Sequence, residues 1–163
     1  VSGPVRNRDA AERVRGFRFA LAQAGITAGS EWVVEGSFTE ASGYRGAETL
    51  LADAVRPTAI FAANDSMAVG VLSAARNQGL RVPDDVAVVG FDDIPIAEYV
   101  SPALTTVRVA IAKLGSCAAE RLVQSIRAHN RHERQHEIQP TELVVRSSCG
   151  APQLSPSQQE AST

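Results

Sequence analysis

Hydrophobic positions divide the chain into short apolar runs and helical stripes. Residues 58–63 (TAIFAA) and 86–91 (VAVVGF) are almost continuously apolar, the pattern of strands buried on both faces of a parallel sheet. Between them Met67, Val71, Leu72 and Ala75 recur at helical spacing over residues 66–78, and Gly79 stands where a helix would close. Arg81-Val82-Pro83 returns the chain to the sheet, since Pro83 cannot continue a helix. A strand–helix–strand crossover of this kind is right-handed and makes its strands parallel.

The same periodicities organise the rest. A helix is expected from Asn7 or Asp9 to about Ala24, with Val14, Phe17, Leu21 and Ala24 as its stripe and Gly25 as its end. Residues 31–35 (EWVVE) read as a strand. Residues 36–40 form a loop into a helix that runs to about Ala54, with Ser37 and Glu40 fitting a capping box. Residues 94–102 hold two prolines and read as a loop, and the β-branched segment 104–109 as a strand. Residues 113–128 suit an amphipathic helix with Leu114, Cys117, Ala118, Leu122 and Ile126 on one side, and residues 141–146 a last strand. Residues 151–163 are Ser, Gln and Pro with almost nothing to bury, and are expected to be disordered. The resulting fold class is α/β: a doubly wound, mostly parallel sheet flanked by helices.

Polar residues fall where the strands end. Asn64-Asp65 follows the first apolar run and Asp92-Asp93 the second. In open α/β sheets, ligands bind in the crevice beyond the carboxyl ends of the strands. An amide and a carboxylate there can grip one small polar ligand, the carboxylate accepting from two neighbouring hydroxyls. Spacing alone leaves an alternative open, in which Asn64 and Asp65 cap a helix and Asp92 and Asp93 shape a turn.

Composition narrows the function. A net charge of −2 gives no basis for a nucleic-acid or membrane surface on this piece. No apolar run approaches the ~20 residues of a membrane span, and no signal peptide is visible. The arginines of the first helix (Arg6, Arg8, Arg13, Arg15, Arg18) read as a solvated face balanced by Asp9 and Glu12. They lack the interleaved aromatics and the second helix that a DNA-reading element would bring. Cys117 and Cys149 are the only cysteines, without metal-ligand spacing, and suit a reducing cytoplasm. His132-Glu133-Arg134-Gln135-His136 has the spacing of a zinc peptidase motif. Its flanks are polar, no third ligand is evident, and Pro140 follows, so a polar connector is the expected reading. No glycine-rich phosphate loop follows a strand and no nucleophile–base set stands at strand ends. The expectation is a binding module without cofactor, not an enzyme. The chain opens on Val1-Ser2-Gly3-Pro4 like the tail of a strand entering a turn, and is expected to continue upstream.

Residues 63–93 (ANDSMAVGVLSAARNQGLRVPDDVAVVGFDD), followed by Ser101-Pro102-Ala103-Leu104-Thr105-Thr106-Val107, resemble the effector-binding region of the lactose/galactose repressor (LacI/GalR) family. The resemblance extends from Ser2 to about Arg146. It implies a two-lobed, periplasmic-binding-protein-like fold. Residues 1–107 would be the C-terminal lobe, 108–138 a crossover strand and helix of the N-terminal lobe with its connector, 139–149 the return strand, and 150–163 a tail. It also implies four ligand contacts: Arg13 as a clamp, Phe38 as a stacking face, Asn64 as an amide contact and Asp92 as a hydroxyl acceptor. Without the family, Arg13 reads as a surface ion pair and Phe38 as a core or staple residue. The implied whole is a homodimeric cytoplasmic regulator, with the helix from Ser66 and the loop near Tyr99 as interface candidates. It would bind operator DNA only through an upstream helix-turn-helix, and would bind a small sugar-like effector between its lobes. The sugar-binding protein of a transporter shares the fold and is the alternative. It would be marked by a secretory signal upstream.

Overall fold

The computed structural model describes residues 1–27, 29–53, 55–128 and 138–151. The histidine–glutamate motif at 132–136 and residues 152–163 of the tail lie outside them. Helix α1 spans Arg8–Gln23, capped by the Asn7 side chain on the Ala10 N–H. Helix α2 is Glu40–Leu51, α3 is Asp65–Asn77, α4 is the single turn Ile96–Tyr99 and α5 is Ile111–Ala128. The strands are β1 Ala59–Phe61, β2 Ala87–Asp92, β3 Thr105–Val109 and β4 Thr141–Val144.

The four strands form one sheet in the order β1-β2-β3-β4. Ala59 pairs with Ala87 and Val89 with Thr105 in parallel, whereas Thr106 pairs with Val144 in antiparallel sense. The sheet is thus mostly parallel, as the apolar runs require. Val1 extends it at the β1 side, accepting the Ala63 N–H at 2.9 Å and donating to the Phe61 carbonyl at 2.6 Å.

Two expectations need correction. Residues 31–35 do not form a strand of this sheet. Ser30–Trp32 is a 3-10 turn in which the Trp32 and Val33 N–H groups bond locally to Gly29 and Ser30, and only Glu35 makes a bridge, to Ser2. β-propensity without a neighbour along the run does not make a ladder. The capping box of α2 is Thr39 with Ser42, not Ser37 with Glu40. The helix starts later than the motif implied, so Thr39 holds the extended N-cap position and the Ser42 hydroxyl takes the place of the glutamate. Glu40 instead accepts the Ser66 hydroxyl at 2.7 Å, tying α2 to α3. One turn went unread: α4, inside the loop at 94–102.

The core lies between α2, α3 and one face of the sheet. Met67, Ala68, Val71, Ala74, Ala75, Val88 and Leu104 are fully buried there. Gly25 and Gly79 close α1 and α3 at φ 72°, and the Leu80 N–H reaches back to the Ala75 carbonyl at 2.9 Å. On the other face α1 leaves Phe61, Val89, Phe91 and Val107 partly open. Helix α5 exposes Ile111, Leu114, Leu122 and Ile126.

α2 and α3 cross with no side chain between their backbones. A Cβ on Gly70 would stand 2.0 Å from the Glu40 carbonyl oxygen, and one on Gly43 2.1 Å from that of Met67. Ala in place of Gly70 would gain ~1 kcal/mol of helix propensity. Overpacking of this kind costs ~1–3 kcal/mol or more, and here the obstacle is backbone, which cannot rotate away. Gly70→Ala is therefore expected to destabilise the protein by about 2 kcal/mol net in urea unfolding. A neutral or stabilising result would show that the two helices separate freely.

Candidate functional site

Asn64 is the N-cap of α3. Its Oδ1 accepts the Met67 N–H at 2.9 Å, and its Nδ2 donates to the Phe38 carbonyl at 3.1 Å. The capping function open from sequence is present, and the second amide hydrogen and oxygen lone pair remain for another partner. Phe38 stands at φ 62° with its ring against Gly3, where a Cβ would lie 2.2 Å from the ring. It packs partly on the core.

Arg13 is not a surface ion pair with Asp9. From the first half of α1 its Nη1 donates to the Ala63 carbonyl, just beyond β1. Its Nη2 lies 3.4 Å from Asp92 Oδ1 at the end of β2, and its guanidinium sits 4.0 Å over the Phe91 ring. The other arginine reading holds in Arg15, which pairs with Glu12 on an exposed face. The four expected residues therefore form two linked pairs, Arg13 with Asp92 and Asn64 with Phe38, which meet at Ala63-Asn64. Beside Arg13 an open apolar hollow is lined by Phe17, Phe61, Val89, Phe91 and Val107. The Phe17 and Phe61 rings stack at 6.3 Å.

The backbone is unusual at the same place. Among the described residues, those other than glycine with positive φ are Phe38, Asp92 and Asp93, the aspartates at 108° and 55°. Such conformations cost on the order of 1–3 kcal/mol each and persist only where the surroundings enforce them. Burial raises the Asp92 pKa, against the pull of Arg13 and together with repulsion from Asp65. A half-buried carboxylate beside a guanidinium that lies over the Phe91 ring can accept a pair of hydroxyl hydrogens while the apolar face of the ligand meets the adjoining hollow.

Sequence reasoning took Asp65 with Asn64 and missed its separate place. Asp65 is fully buried. It accepts the Thr106 hydroxyl at 2.6 Å and the Ile94 N–H at 2.9 Å. Asp93 also differs from Asp92: its carboxylate sits between Arg108 Nε at 2.7 Å and Arg146 Nη2 at 2.8 Å. Burial works against its ionisation, and the hydrogen bonds from Arg108 and Arg146 outweigh that and hold its pKa below the usual value. Partners so distant in sequence leave no spacing signal. Among the described residues no group of His, Cys, Asp and Glu could hold a metal, and no helix is long and apolar enough to cross a membrane.

Burial is the largest influence on Asp65 and raises its pKa above 3.8, opposed by hydrogen bonds from Thr106, Ile94 and Phe91. The folded chain then holds this proton to higher pH than the unfolded chain. Its contribution to stability is complete below pH 3.8 and fades as pH rises through the raised value. Asp65→Asn is expected to remove this downward contribution, leaving that of Asp92 against the upward contributions of Asp93, Asp85 and Glu40, whose pKa values are lowered. Urea midpoints across the window measure it, and a slope equal to that of the wild type would refute the assignment.

Residues 1–149 match the family model described as a periplasmic binding protein-like domain. The HTH-type transcriptional repressor PurR of Photobacterium profundum is 40% identical over 148 residues, 91% of this chain and 44% of that protein. Among solved structures, a transcriptional regulator CelR–cellobiose complex superposes with a TM-score of 0.86 at 37% identity, over 91% of this chain and 45% of the other. A regulatory protein of the LacI family from Chloroflexus aggregans superposes at 0.83 and 34%, over 91% and 53%. The chain thus spans about half the length of the curated relatives it matches.

Proposed function

Because the chain belongs to the periplasmic binding protein-like domain family, in the form carried by the C-terminal region of LacI-family regulators, we propose that it is the effector-sensing part of a DNA-binding transcription regulator. The Photobacterium profundum relative is a repressor. Operator DNA would be bound by a helix-turn-helix upstream, and a small effector in the cleft would shift operator affinity. Such coupling is typically ~1–3 kcal/mol and reciprocal. The protein would work in the cytoplasm.

The observation that carries this reading is the Arg13–Asp92 pair over Phe91. Its charges are matched, so an anionic ligand gains little there. Its remaining donors and acceptors suit neighbouring hydroxyls, and its surroundings are aromatic. An uncharged sugar-like molecule satisfies all three conditions, and the cellobiose in the superposed regulator is of that class. Arg13, Phe38, Asn64 and Asp92 are assigned to it as clamp, stacking face, amide contact and hydroxyl acceptor. Residues 1–107 and 139–149 are assigned to one lobe, and 108–138 to a crossover that docks on the other. The exposed apolar stripe of α5 supports that division.

Calorimetry of the intact protein with cellobiose, ribose and other neutral sugars tests the reading. Hydrogen bonds to a charged group contribute about 1.5–3 kcal/mol, so Asp92→Ala is expected to weaken a bound sugar by roughly ten- to a hundredfold. Operator binding without sugar would be retained. Undiminished sugar response in that variant would sink the site assignment.

A homodimer is proposed through α3 and the α4 turn, where Tyr99 is 78% exposed and Ile96 44% exposed. Light scattering is expected to give twice the chain mass, and half of that for Tyr99→Asp. A wild-type monomer at high concentration would remove this interface.

A further inference from the structure

The carboxylate of Asp92 stands on a bend that neither of its aspartates favours, and the groups that enforce the bend lie behind the cleft. The first is Thr106, fully buried on β3. Its hydroxyl donates to Asp65 Oδ1 at 2.6 Å and accepts the Asp93 N–H at 3.4 Å. Asp65 also accepts the N–H of Ile94 at 2.9 Å, so the backbone is gripped at two successive residues just after Asp92.

The second is Arg146, which follows β4. Its Nη1 donates to the Leu104 carbonyl at 2.8 Å, and this fixes the guanidinium on the sheet. Its Nη2 stands 2.8 Å from Asp93 Oδ1, with the two side chains only 12% and 8% exposed. Shielding from water spares this pair most of the screening that empties surface ion pairs of energy. Arg108, nearly half exposed, donates to the other oxygen of Asp93 at 2.7 Å. Thr106 thus joins the start of α3 to the bend, and Arg146 joins the Leu104 carbonyl and Glu98 to it.

We propose that Thr106 and Arg146 are positioning residues of the effector site, which hold the Asp92–Asp93 bend so that Asp92 faces the ligand. This rests on the assignment of Asp92 as an effector contact. A purely structural role predicts something different, and Ser148 supplies the comparison. It is a buried hydroxyl in the 3-10 turn after β4, donating to the Val88 carbonyl at 2.6 Å and accepting the Thr105 N–H at 2.8 Å. It grips no residue of the bend.

The test is a carbon-13 NMR titration of the Asp92 carboxyl in the full chain without ligand, beside thermal melts. Arg13 and Asp65 are the charged neighbours of Asp92; neither is substituted, but Thr106→Val takes a hydrogen bond from Asp65, so Arg146→Lys, which touches neither, is the deciding variant. Thr106→Val and Arg146→Lys are expected to let Asp92 swing into water, lowering its titration midpoint by about half a pH unit. Thr106→Ser keeps the hydroxyl and is expected to restore the wild-type midpoint. Ser148→Ala is expected to lower Tm and leave the midpoint where it was. An Asp92 midpoint unmoved in folded Thr106→Val or Arg146→Lys overturns the proposal, as does an equal movement in Ser148→Ala. If Thr106→Val fails to fold, the charge-preserving Arg146→Lys decides alone. No ligand enters this measurement, so its failure leaves the effector role of Asp92 standing. Failure of the Asp92→Ala sugar test leaves the anchored bend standing without that ligand.

Discussion

A carboxylate with no access to water holds the centre of this fold. Asp65 opens α3, yet its hydrogen-bond partners are Thr106 on β3 and the backbone that leaves β2. Taking an ionised carboxylate out of water costs several kcal/mol. Hydrogen bonds to a charged acceptor return about 1.5–3 kcal/mol each, so a single one would not suffice. Two or three offset much of it, although burial still leaves the Asp65 pKa raised, which is why the helix start, the end of β2 and β3 must arrive together. Gly90 permits it, since a Cβ there would stand 2.2 Å from the Asp65 oxygen. The strained aspartates next to it are tolerated only because this junction is rigid.

Arg13 applies the same logic at the cleft wall. Its charge is met by Asp92, by a carbonyl just past β1 and by the face of Phe91. A guanidinium fork thus links α1 to two strand ends. The polar half of the cleft is neutral as a unit, and its shape is set by hydrogen bonds instead of by net charge.

The parallel unit from β1 through α3 to β2 was legible because two apolar runs and one helical stripe agree with their glycine and proline punctuation. The run at 31–35 failed for the opposite reason. Its pattern was strand-like, but pairing partners are a property of the whole sheet, and only Glu35 found one. Arg13, Phe38, Asn64 and Asp92 were placed by a resemblance to known regulators, and periodicity alone would have left Arg13 on the surface. Asp65 was hidden beside Asn64, since local sequence cannot tell a capping residue from a buried one. Arg146 was invisible because its contacts join segments separated by the whole crossover, and Thr106 because its partners Asp65 and Asp93 lie on other elements; no spacing rule reports either.

The antiparallel pairing of β3 with β4 has a further consequence. Thr141 lies directly opposite Val109, so the chain leaves the sheet and re-enters it at one rung of one ladder. Everything from Ala110 to Pro140 is topologically a closed loop tied at that rung. The entropy of closing such a loop grows only with the logarithm of its length, by about 0.6 kcal/mol per doubling. Changes of length in this excursion therefore cost little closure entropy, whereas a change at Val109 or Thr141 acts on the ladder itself.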